Sequence, residues 1–185
     1  MKALLLIIGF LMTQPITKFP ERKEMLVRDF EAYENIFPLK ILDLSHQGIK
    51  DKIHVFYVSF SYQGVEHDIN FPKGEDMDHF TFKIEKDGLY RPTFRKEALE
   101  INPMYQPYFQ QTKDKYRKIT ADDVQLLMMD EPEWLQNDAT PLNAKGEKFK
   151  FICQYEAEIL SNDDCWVYLF YDEKSKEVKY VYQRT

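Results

Sequence analysis

Histidines are the side chains of this sequence best suited to metal binding and to proton transfer near neutral pH. The four histidines are His46, His54, His67 and His79. No two of them have a metal-type spacing such as H-x-x-x-H, and a zinc site needs about four ligands that converge on one point. We therefore predict hydrogen-bonded structural histidines and assign neither a metal site nor a catalytic residue.

The two cysteines, Cys153 and Cys165, lie in or beside predicted strands, where a thiolate would have no electropositive neighbour. A disulfide needs Cα atoms within about 7 Å of each other. If Leu160 pairs with Cys165 across the intervening turn, Cys153 lies opposite Asp172 and the sulfurs are several residues out of register. We predict two buried free thiols, with a disulfide as the alternative.

Acidic residues form short runs at places where turns and helix ends commonly collect them. Residues 75–78, followed by His79, could hold calcium, but they lack the alternation and the closing glutamate of an EF-hand loop. No pair of carboxylates stands out for acid-base catalysis. Phosphate-binding, dinucleotide-binding and nucleophile-elbow motifs do not occur in the sequence. These features predict a protein without a cofactor and favour binding over catalysis.

The one basic cluster, residues 113–118, is close in sequence to several aromatic rings. Such a combination can bind an anionic ligand or a glycan, whereas the alternative is a solvated entry to a helix. The candidate ligand-binding residues are Tyr105, Tyr108, Phe109, Lys115, Tyr116 and Arg117.

Length and charge restrict the class of protein. The 185 residues suit one domain, and an aromatic content of 15% suits packed sheet faces. A net charge of -6 and a pI near 5.3 argue against nucleic-acid binding, because such proteins must neutralise phosphates. We therefore expect a protein or cell-envelope component as partner, and no nucleic acid.

The N-terminus has the pattern of an export signal. Met1 and Lys2 precede an apolar run over residues 3–12, which is the size of a signal-peptide core and about half of what a membrane span needs. No cysteine lies close after this run, where a bacterial lipobox would need one. We predict a signal peptide at 1–14 and a periplasmic or secreted α+β domain at 15–185; a buried N-terminal helix or strand is the alternative.

The C-terminal end predicts a three-stranded antiparallel meander. Apolar residues alternate from Phe149 to Ile159, which indicates a strand with one buried face, and residues 165–171 are apolar on both faces, as in a central strand. If Asp172 pairs with Glu177 across the following turn, one register satisfies every apolar residue of one face, with Tyr171, Leu169 and Val167 opposite Val178, Tyr180 and Tyr182.

The N-terminal half predicts a helix at 20–35, a hairpin at 54–71 with its turn at Gln63-Gly64, and a strand at 79–85. Leu89 and Tyr90 can pair with that strand, and the apolar residues 41–44 fit either a strand or a linker. A second helix is predicted at 120–135, where Thr120 provides a cap. The sub-units 15–92 and 112–185 thus share an order of one helix and three strands, in two units or in one continuous sheet.

From residue 119 onward, Thr120 and Val124 open the predicted helix, Pro132 ends it, and a hairpin runs from Val167 to Tyr182. This order resembles the small periplasmic domains of the SmpA/OmlA outer-membrane assembly lipoproteins and the β-lactamase-inhibitor proteins. The resemblance covers the C-terminal third, and the chain lacks the family's glycine before the proline and its lipobox cysteine. It implies a domain that binds proteins and performs no chemistry.

The sequence therefore predicts an α+β fold, mainly antiparallel β-sheet with helices packed on one face. The leading functional hypothesis is a small exported binding protein for a protein or cell-envelope component. One alternative is an enzyme or ligand-binding protein with an apolar cavity of the nuclear-transport-factor type, using His67 with Asp68 or His79 with Asp78. Another is an inhibitor or immunity protein for a basic partner.

Overall fold

Antiparallel strands dominate the fold, which is of the α+β class, as predicted. The structure, a computed structural model, describes residues 18–30, 33–59, 79–94, 100–161 and 163–185. Within these ranges, a two-stranded ribbon covers one face of a five-stranded sheet. The predicted signal peptide at 1–14 lies outside the described residues.

The ribbon consists of β1 (Ile36–Leu42) and β2 (Ile53–Val58). All residues of β2 are buried, as a strand between two layers should be. A register shift between Pro38 and Lys40 bulges β1 beside the proline, which has no N–H for the ladder. Among the described residues β1 is the partner of β2, and the returning strand predicted at 65–71 lies outside them.

The larger sheet contains β3 (His79–Ile84), β4 (Tyr90–Pro92), β5 (Lys150–Glu156), β6 (Cys165–Asp172) and β7 (Glu177–Arg184). Their spatial order is β4-β3-β7-β6-β5, so the sheet combines strands from both halves of the chain. The predicted strand at 79–85 and its short partner at Tyr90 are confirmed.

The register of the last hairpin is the predicted one, from Asp172 opposite Glu177 to Val167 opposite Tyr182. Both faces of β6 are buried, because the ribbon covers one face of the sheet and a long loop covers the other. The apolar pattern of this hairpin fixes its register, since a slip of one residue would turn every side chain to the wrong face.

Tyrosine hydroxyls from the larger sheet occupy the edge of β2 that faces away from β1. Tyr155 donates to the carbonyl of Phe56 at 2.5 Å, and Tyr180 donates to the carbonyl of His54 at 2.5 Å. The hydroxyl of Tyr182 accepts from the N–H of the last β2 residue at 2.9 Å. Side chains therefore satisfy the backbone polar groups at these three positions of the edge.

Aromatic rings fill the space between the two layers. The ring centroid of Phe56 lies 5.3 Å from that of Phe82 and 5.9 Å from that of Tyr180, and all three side chains are fully buried. Tilted and edge-to-face contacts at these distances add to the stabilisation from apolar burial. The two described layers are therefore in direct aromatic contact.

The helix predicted at 20–35 is wrong. Among the described residues of that range, α1 (Arg22–Met25) is a single turn, followed by a separate 3-10 turn at Arg28–Phe30. Immediately after it, Leu26 bridges to Tyr90 in parallel, and the N–H of Val27 donates to the carbonyl of Tyr90 at 3.1 Å. The open edge of β4 thus draws the chain into an extended conformation, although its apolar spacing is helical.

The main helix is α2 (Gln106–Tyr116), in a region for which the sequence predicts no long helix because of Pro103 and Pro107. Pro107 lies in the first turn of α2, where a missing N–H breaks no intrahelical bond, so the proline is compatible with the helix. No helix in the described ranges is long and apolar enough to cross a bilayer.

The helix predicted at 120–135 is also wrong, because it stops after the 3-10 turn Ala121–Asp123. The predicted cap is present: the N–H and the hydroxyl of Thr120 both donate to the carboxylate of Asp123, at 2.7 and 2.8 Å. Val124 is already extended, and Leu127 pairs with Gln154 of β5. Strand pairing at the sheet edge therefore replaces further helical turns.

A bulge in β5 divides the single apolar face predicted from Phe149 to Ile159. The register shifts between Phe151 and Cys153, so Phe149 and Phe151 pack on the outer face, whereas Cys153 and Tyr155 point toward the ribbon. One inserted residue is enough to reverse the alternation.

The cysteines are two buried free thiols, as predicted. The register used to predict them is wrong: Cys153 pairs with Leu169 and not with Asp172. The reason is that Cys165 pairs with Ala157 and not with Leu160. The N–H of Ala157 donates to the carbonyl of Cys165 at 2.7 Å, so the connection between the two strands is longer than predicted.

Candidate functional site

A long irregular segment, residues 127–149, crosses the outer face of the five-stranded sheet, and we call it the strap. It starts where Leu127 and Gln154 exchange two backbone hydrogen bonds of 2.8 and 3.1 Å. It ends at the entry to β5, where the N–H of Phe149 donates to the carbonyl of Pro141 at 3.0 Å. Its backbone polar groups must find partners on the sheet or in water.

Two buried side chains of neighbouring strands hold the first part of the strap. The amide of Gln154 accepts from the N–H of Glu133 at 2.8 Å and donates to the carbonyl of the same residue at 3.3 Å. The hydroxyl of Tyr168 donates to that carbonyl at 3.0 Å and accepts from the N–H of Leu135 at 2.8 Å. The side-chain amide of Gln154 thus both donates to and accepts from one residue of the strap, as a backbone peptide group of a neighbouring strand would.

A third strand supplies Gln183, also buried, which repeats this arrangement one step further along the strap. Its carbonyl oxygen accepts from the N–H of Gln136 at 2.9 Å, and its NH₂ donates to the carbonyl of Asn137 at 2.7 Å. The strap is therefore fixed by β5, β6 and β7 in turn. The sequence marks these groups only as polar residues within apolar strands, and sequence analysis missed their role.

Trp134 anchors the middle of the strap to the sheet. Its ring centroid lies 5.8 Å from that of Phe170, in a stacked geometry, and 4.6 Å from that of Tyr168. The tryptophan is half-buried and belongs to the outer aromatic cluster with Phe149. The strap is thus held by packing as well as by hydrogen bonds.

The excess negative charge of the protein is confined to one stretch, residues 119–144, which we call the acidic segment. It contains six acidic residues and no lysine or arginine. The whole chain has 31 acidic and 25 basic residues, which leaves 25 of each outside the segment. All six acidic residues are exposed: Asp122, Asp123, Asp130, Glu131, Glu133 and Asp138.

Large apolar side chains are exposed in the same segment. Leu127 is 38% exposed, Met128 43% and Leu142 54%. A surface with exposed apolar groups among carboxylates of one sign is typical of an interaction site for a partner of opposite charge.

A cleft of about 670 Å³ lies at the far end of the strap. Residues 136–141 line one side, residues 181–183 of β7 form the floor, and His79 lies at the rim. Asp138 in its wall accepts from the N–H and the hydroxyl of Thr140 at 2.8 and 2.6 Å. These bonds lower the pKa of the Asp138 carboxyl and fix the turn.

The candidate ligand-binding residues lie on α2 and its ends, and the structure divides them between its faces. Phe109 and Tyr116 pack inward against Phe37, with ring centroids 6.2 and 5.1 Å away, and the Tyr116 hydroxyl donates to the carbonyl of Pro38 at 2.7 Å. Tyr108 is exposed on the other side. A shared ligand surface for these aromatics stays a prediction.

The remaining candidates contact nearby protein groups. Lys115 donates to the carbonyl of Glu158 at 3.2 Å and to that of Ser161. Arg117 pairs with Asp114 at 3.0 Å, and the ring centroid of Tyr105 lies 6.2 Å from that of its helix neighbour at position 108. Lys115 and Arg117 thus bond to protein oxygens near the C-terminal end of α2. A positive charge at this end also interacts favourably with the helix dipole.

His54 has the structural role predicted for the histidines. It is 2% exposed, its Nδ1 lies 3.1 Å from the carbonyl oxygen of Met25, and its ring stacks on Tyr90 at 4.3 Å. Burial lowers the pKa of His54 to about 4, so the imidazole is neutral at physiological pH. His67 lies outside the described residues, as do Asp68, Asp78 and the calcium-type run at 75–78.

The thiols have no nucleophilic character. Burial raises the pKa of Cys153 to about 12 and that of Cys165 to about 11, despite the neighbouring Arg184. A protonated, fully buried thiol packs as a small apolar side chain.

An acidic residue between β1 and β2 links the ribbon to the turn between β6 and β7. Asp51 accepts from Lys176 at 2.7 Å and from the hydroxyl of Tyr171. Burial opposes ionisation of Asp51, but these two bonds outweigh it and hold its pKa below the usual value. Burial and the bond to Asp51 raise the pKa of Tyr171, so its phenol stays protonated. The cluster joins the two layers.

In the part of the chain that the structure describes, no three His, Cys, Asp or Glu side chains converge closely enough to hold a metal ion. No family model, curated protein or solved structure matches the chain. A functional proposal therefore has to rest on the structure and the sequence of this chain.

Proposed function

We propose that the protein is an exported binding protein that recognises a basic partner protein through the acidic segment, without catalysis. One observation carries this proposal: six exposed carboxylates and no cation share a segment with three exposed large apolar side chains. The charges would steer a basic partner and the apolar groups would supply contact area.

The fixed conformation of the strap supports a role in recognition. The side chains of Gln154, Tyr168 and Gln183 hold its backbone in place before any partner arrives. A preformed surface loses less conformational entropy on association than a loose loop does.

Several groups suited to catalysis are withdrawn from solvent or already bonded, which favours binding over catalysis. The imidazole of His54 and the thiols of Cys153 and Cys165 are buried, and the phenol of Tyr171 bonds to Asp51. We do not propose the cavity-enzyme alternative, because aromatic rings fill the space between the two described layers. An inhibitor or immunity protein is a special case of this proposal, recognised by loss of the partner's activity in the complex.

Export is supported by the basic start and the apolar run at residues 3–12. Expression of the full chain in a bacterium with separable envelope fractions tests it. We expect a shortened product in the periplasm or medium, and Leu6→Asp should retain the full-length chain in the cytoplasm. A full-length product in the cytoplasm for both chains would contradict export.

A pull-down from envelope extract with matched charge variants tests the site. In the first variant, Asp130, Glu131 and Glu133 are each changed to lysine. In the control variant, three exposed acidic residues outside the acidic segment are changed to lysine, which gives the same net charge: Asp29, Glu100 and Glu173.

We expect the wild type and the control variant to capture a basic protein that elutes as salt rises, because screening weakens contacts between exposed charges. The variant of the acidic segment should lose it. Equal capture by both variants, or a captured protein that is itself acidic, would contradict the proposal.

A further inference from the structure

We propose that the cleft at the end of the strap is a second binding site, which takes a neutral, hydroxyl-rich ligand of about one or two sugar rings. This inference goes beyond the proposed protein partner, because it concerns a different class of ligand and only residues 136–141 of the acidic segment, away from the carboxylates at 130–133. The cleft lies between residues 136–141 and the floor formed by residues 181–183, with His79 at the rim.

The size of the cleft suits a small molecule. Its volume of about 670 Å³ falls within the range of roughly 300 to 1,000 Å³ that is typical of small-molecule sites. A mono- or disaccharide is a ligand of this size, whereas a folded partner would contact the rim alone.

The lining selects against charged ligands. Among the described residues that line the cleft there is no lysine or arginine, so a phosphate or carboxylate would meet no counter-charge from them. The one carboxylate of this described lining, Asp138, already accepts two bonds from Thr140 and has fewer lone pairs left for a cation. A neutral ligand remains as the best match.

The polar groups of the lining match hydroxyls, which both donate and accept hydrogen bonds. Asn137 has a side-chain amide with donors and an acceptor, and within the described part of the chain this amide makes no hydrogen bond. Thr140 adds a hydroxyl oxygen that can accept, since its proton is donated to Asp138, and His79 lies at the rim. Ala139, which is half-buried, presents carbon surface suited to the C–H face of a sugar ring.

The walls are preformed. Gln183 of the floor accepts from the N–H of Gln136 and donates to the carbonyl of Asn137, and the carbonyl of Pro141 accepts from Phe149. A ligand therefore meets groups already in position, which reduces the entropy cost of binding.

Amide-resolved NMR titration of the full-length mature protein tests the site. The probes are N-acetylglucosamine, its β-1,4-linked dimer and maltose, with inorganic phosphate and lysyl-lysine as charged probes. We expect at least one saccharide to shift the amide signals of residues 136–140 and 181–183, and the charged probes to leave them unchanged.

Asn137→Ala should weaken saccharide binding about five- to tenfold, which is the effect of losing one hydrogen bond to a ligand. Gln47→Ala, at an exposed amide that does not line the cleft, is the matched control and should bind as the wild type does. A thermal melt of both variants checks that they fold.

The inference is overturned if no saccharide shifts the cleft signals, if phosphate or lysyl-lysine shifts them instead, or if Asn137→Ala binds as tightly as its control. These outcomes leave the protein-binding proposal intact, because the charge variants that test it lie outside the cleft. Conversely, loss of the pull-down result would leave saccharide binding unaffected.

Discussion

The two faces of the five-stranded sheet are covered in opposite ways. On the inner face, a regular ribbon packs through aromatic rings, and buried phenols satisfy its backbone. On the outer face, an irregular strap is held by amide side chains and one tryptophan, and it presents its acidic residues to solvent. The ribbon thus stabilises the fold, whereas the strap forms an exposed surface.

The largest expected difference between the faces comes from removing one ring on each. Phe56→Ala should lower the free energy of unfolding by about 3 to 5 kcal/mol, because it leaves a cavity between two packed layers. Trp134→Ala should cost only about 1 to 2 kcal/mol, since its ring is half-buried and the strap can relax toward water. Urea denaturation measures both.

Hydrogen exchange sharpens this pair of variants. Trp134→Ala should speed exchange at the N–H groups of Leu135 and Gln136 while leaving β2 protected, because only the strap loosens. Equal destabilisation by both variants, or faster exchange throughout β2 in Trp134→Ala, would show that the ribbon and the strap contribute equally to stability.

Acid should act on the inner face through His54. Its pKa is about 4 in the folded protein and about 6.5 in the unfolded chain, so the unfolded state binds more protons below pH 6.5. Stability should be complete above about pH 6.5 and fall by about 3 kcal/mol as pH drops to 4. Urea denaturation at a series of pH values measures this loss.

His54→Gln should remove most of the stability change between pH 6.5 and 4. His46→Gln, at an exposed histidine, is the matched control for loss of an imidazole. If His54→Gln loses as much stability between pH 6.5 and 4 as the wild type does, groups other than His54 cause the loss.

Removing a single hydroxyl compares the hydrogen bonds of the two faces directly. Tyr180→Phe leaves the carbonyl of His54 unsatisfied in a dry interior and should cost about 1 to 3 kcal/mol. Tyr168→Phe should cost less, because the carbonyl of Glu133, an exposed residue, keeps its bond from Gln154. Thermal denaturation distinguishes the two; a larger loss in Tyr168→Phe would reverse the assignment.

The smallest expected effect lies at the link between the layers. Lys176 has φ of 59°, which costs a non-glycine residue about 1 kcal/mol, and its pairing with Asp51 offsets part of that cost. Lys176→Gly removes both terms and should change stability by less than about 1 kcal/mol. Asp51→Asn keeps the strain and weakens two bonds, so it should be the more destabilising change in the same melts.

Sequence patterns predicted strands well wherever alternation was uninterrupted. The hairpin of β6 and β7 has its predicted register because both of its faces are buried and only one alignment satisfies them. The strand at 79–85 was predictable for the same reason. The pattern at 149–159 misled, since a bulge at Phe151 reverses a face without changing the alternation of residue types.

Helices were predicted poorly because tertiary pairing overrode local spacing. Leu26 pairs with β4 and Leu127 with β5, so two helical patterns stop after one turn. The sequence does not predict the main helix, because proline breaks a helix interior, whereas Pro107 lies in the first turn, where proline is compatible with a helix. For the strap, no local signal reveals that Gln154 and Gln183 bond to a distant backbone, because that contact depends on how the sheet is assembled.

The phenols along β2 have a further consequence for self-association. An open strand edge is a template on which a second copy can add, and folded proteins commonly block it with charge or proline. Here the carbonyls of His54 and Phe56 are already engaged by tyrosine hydroxyls. A change from tyrosine to phenylalanine at 155 or 180, conservative in shape, removes one bond that holds the ribbon to the sheet, so the ribbon should lift away more often and expose this edge to a second copy.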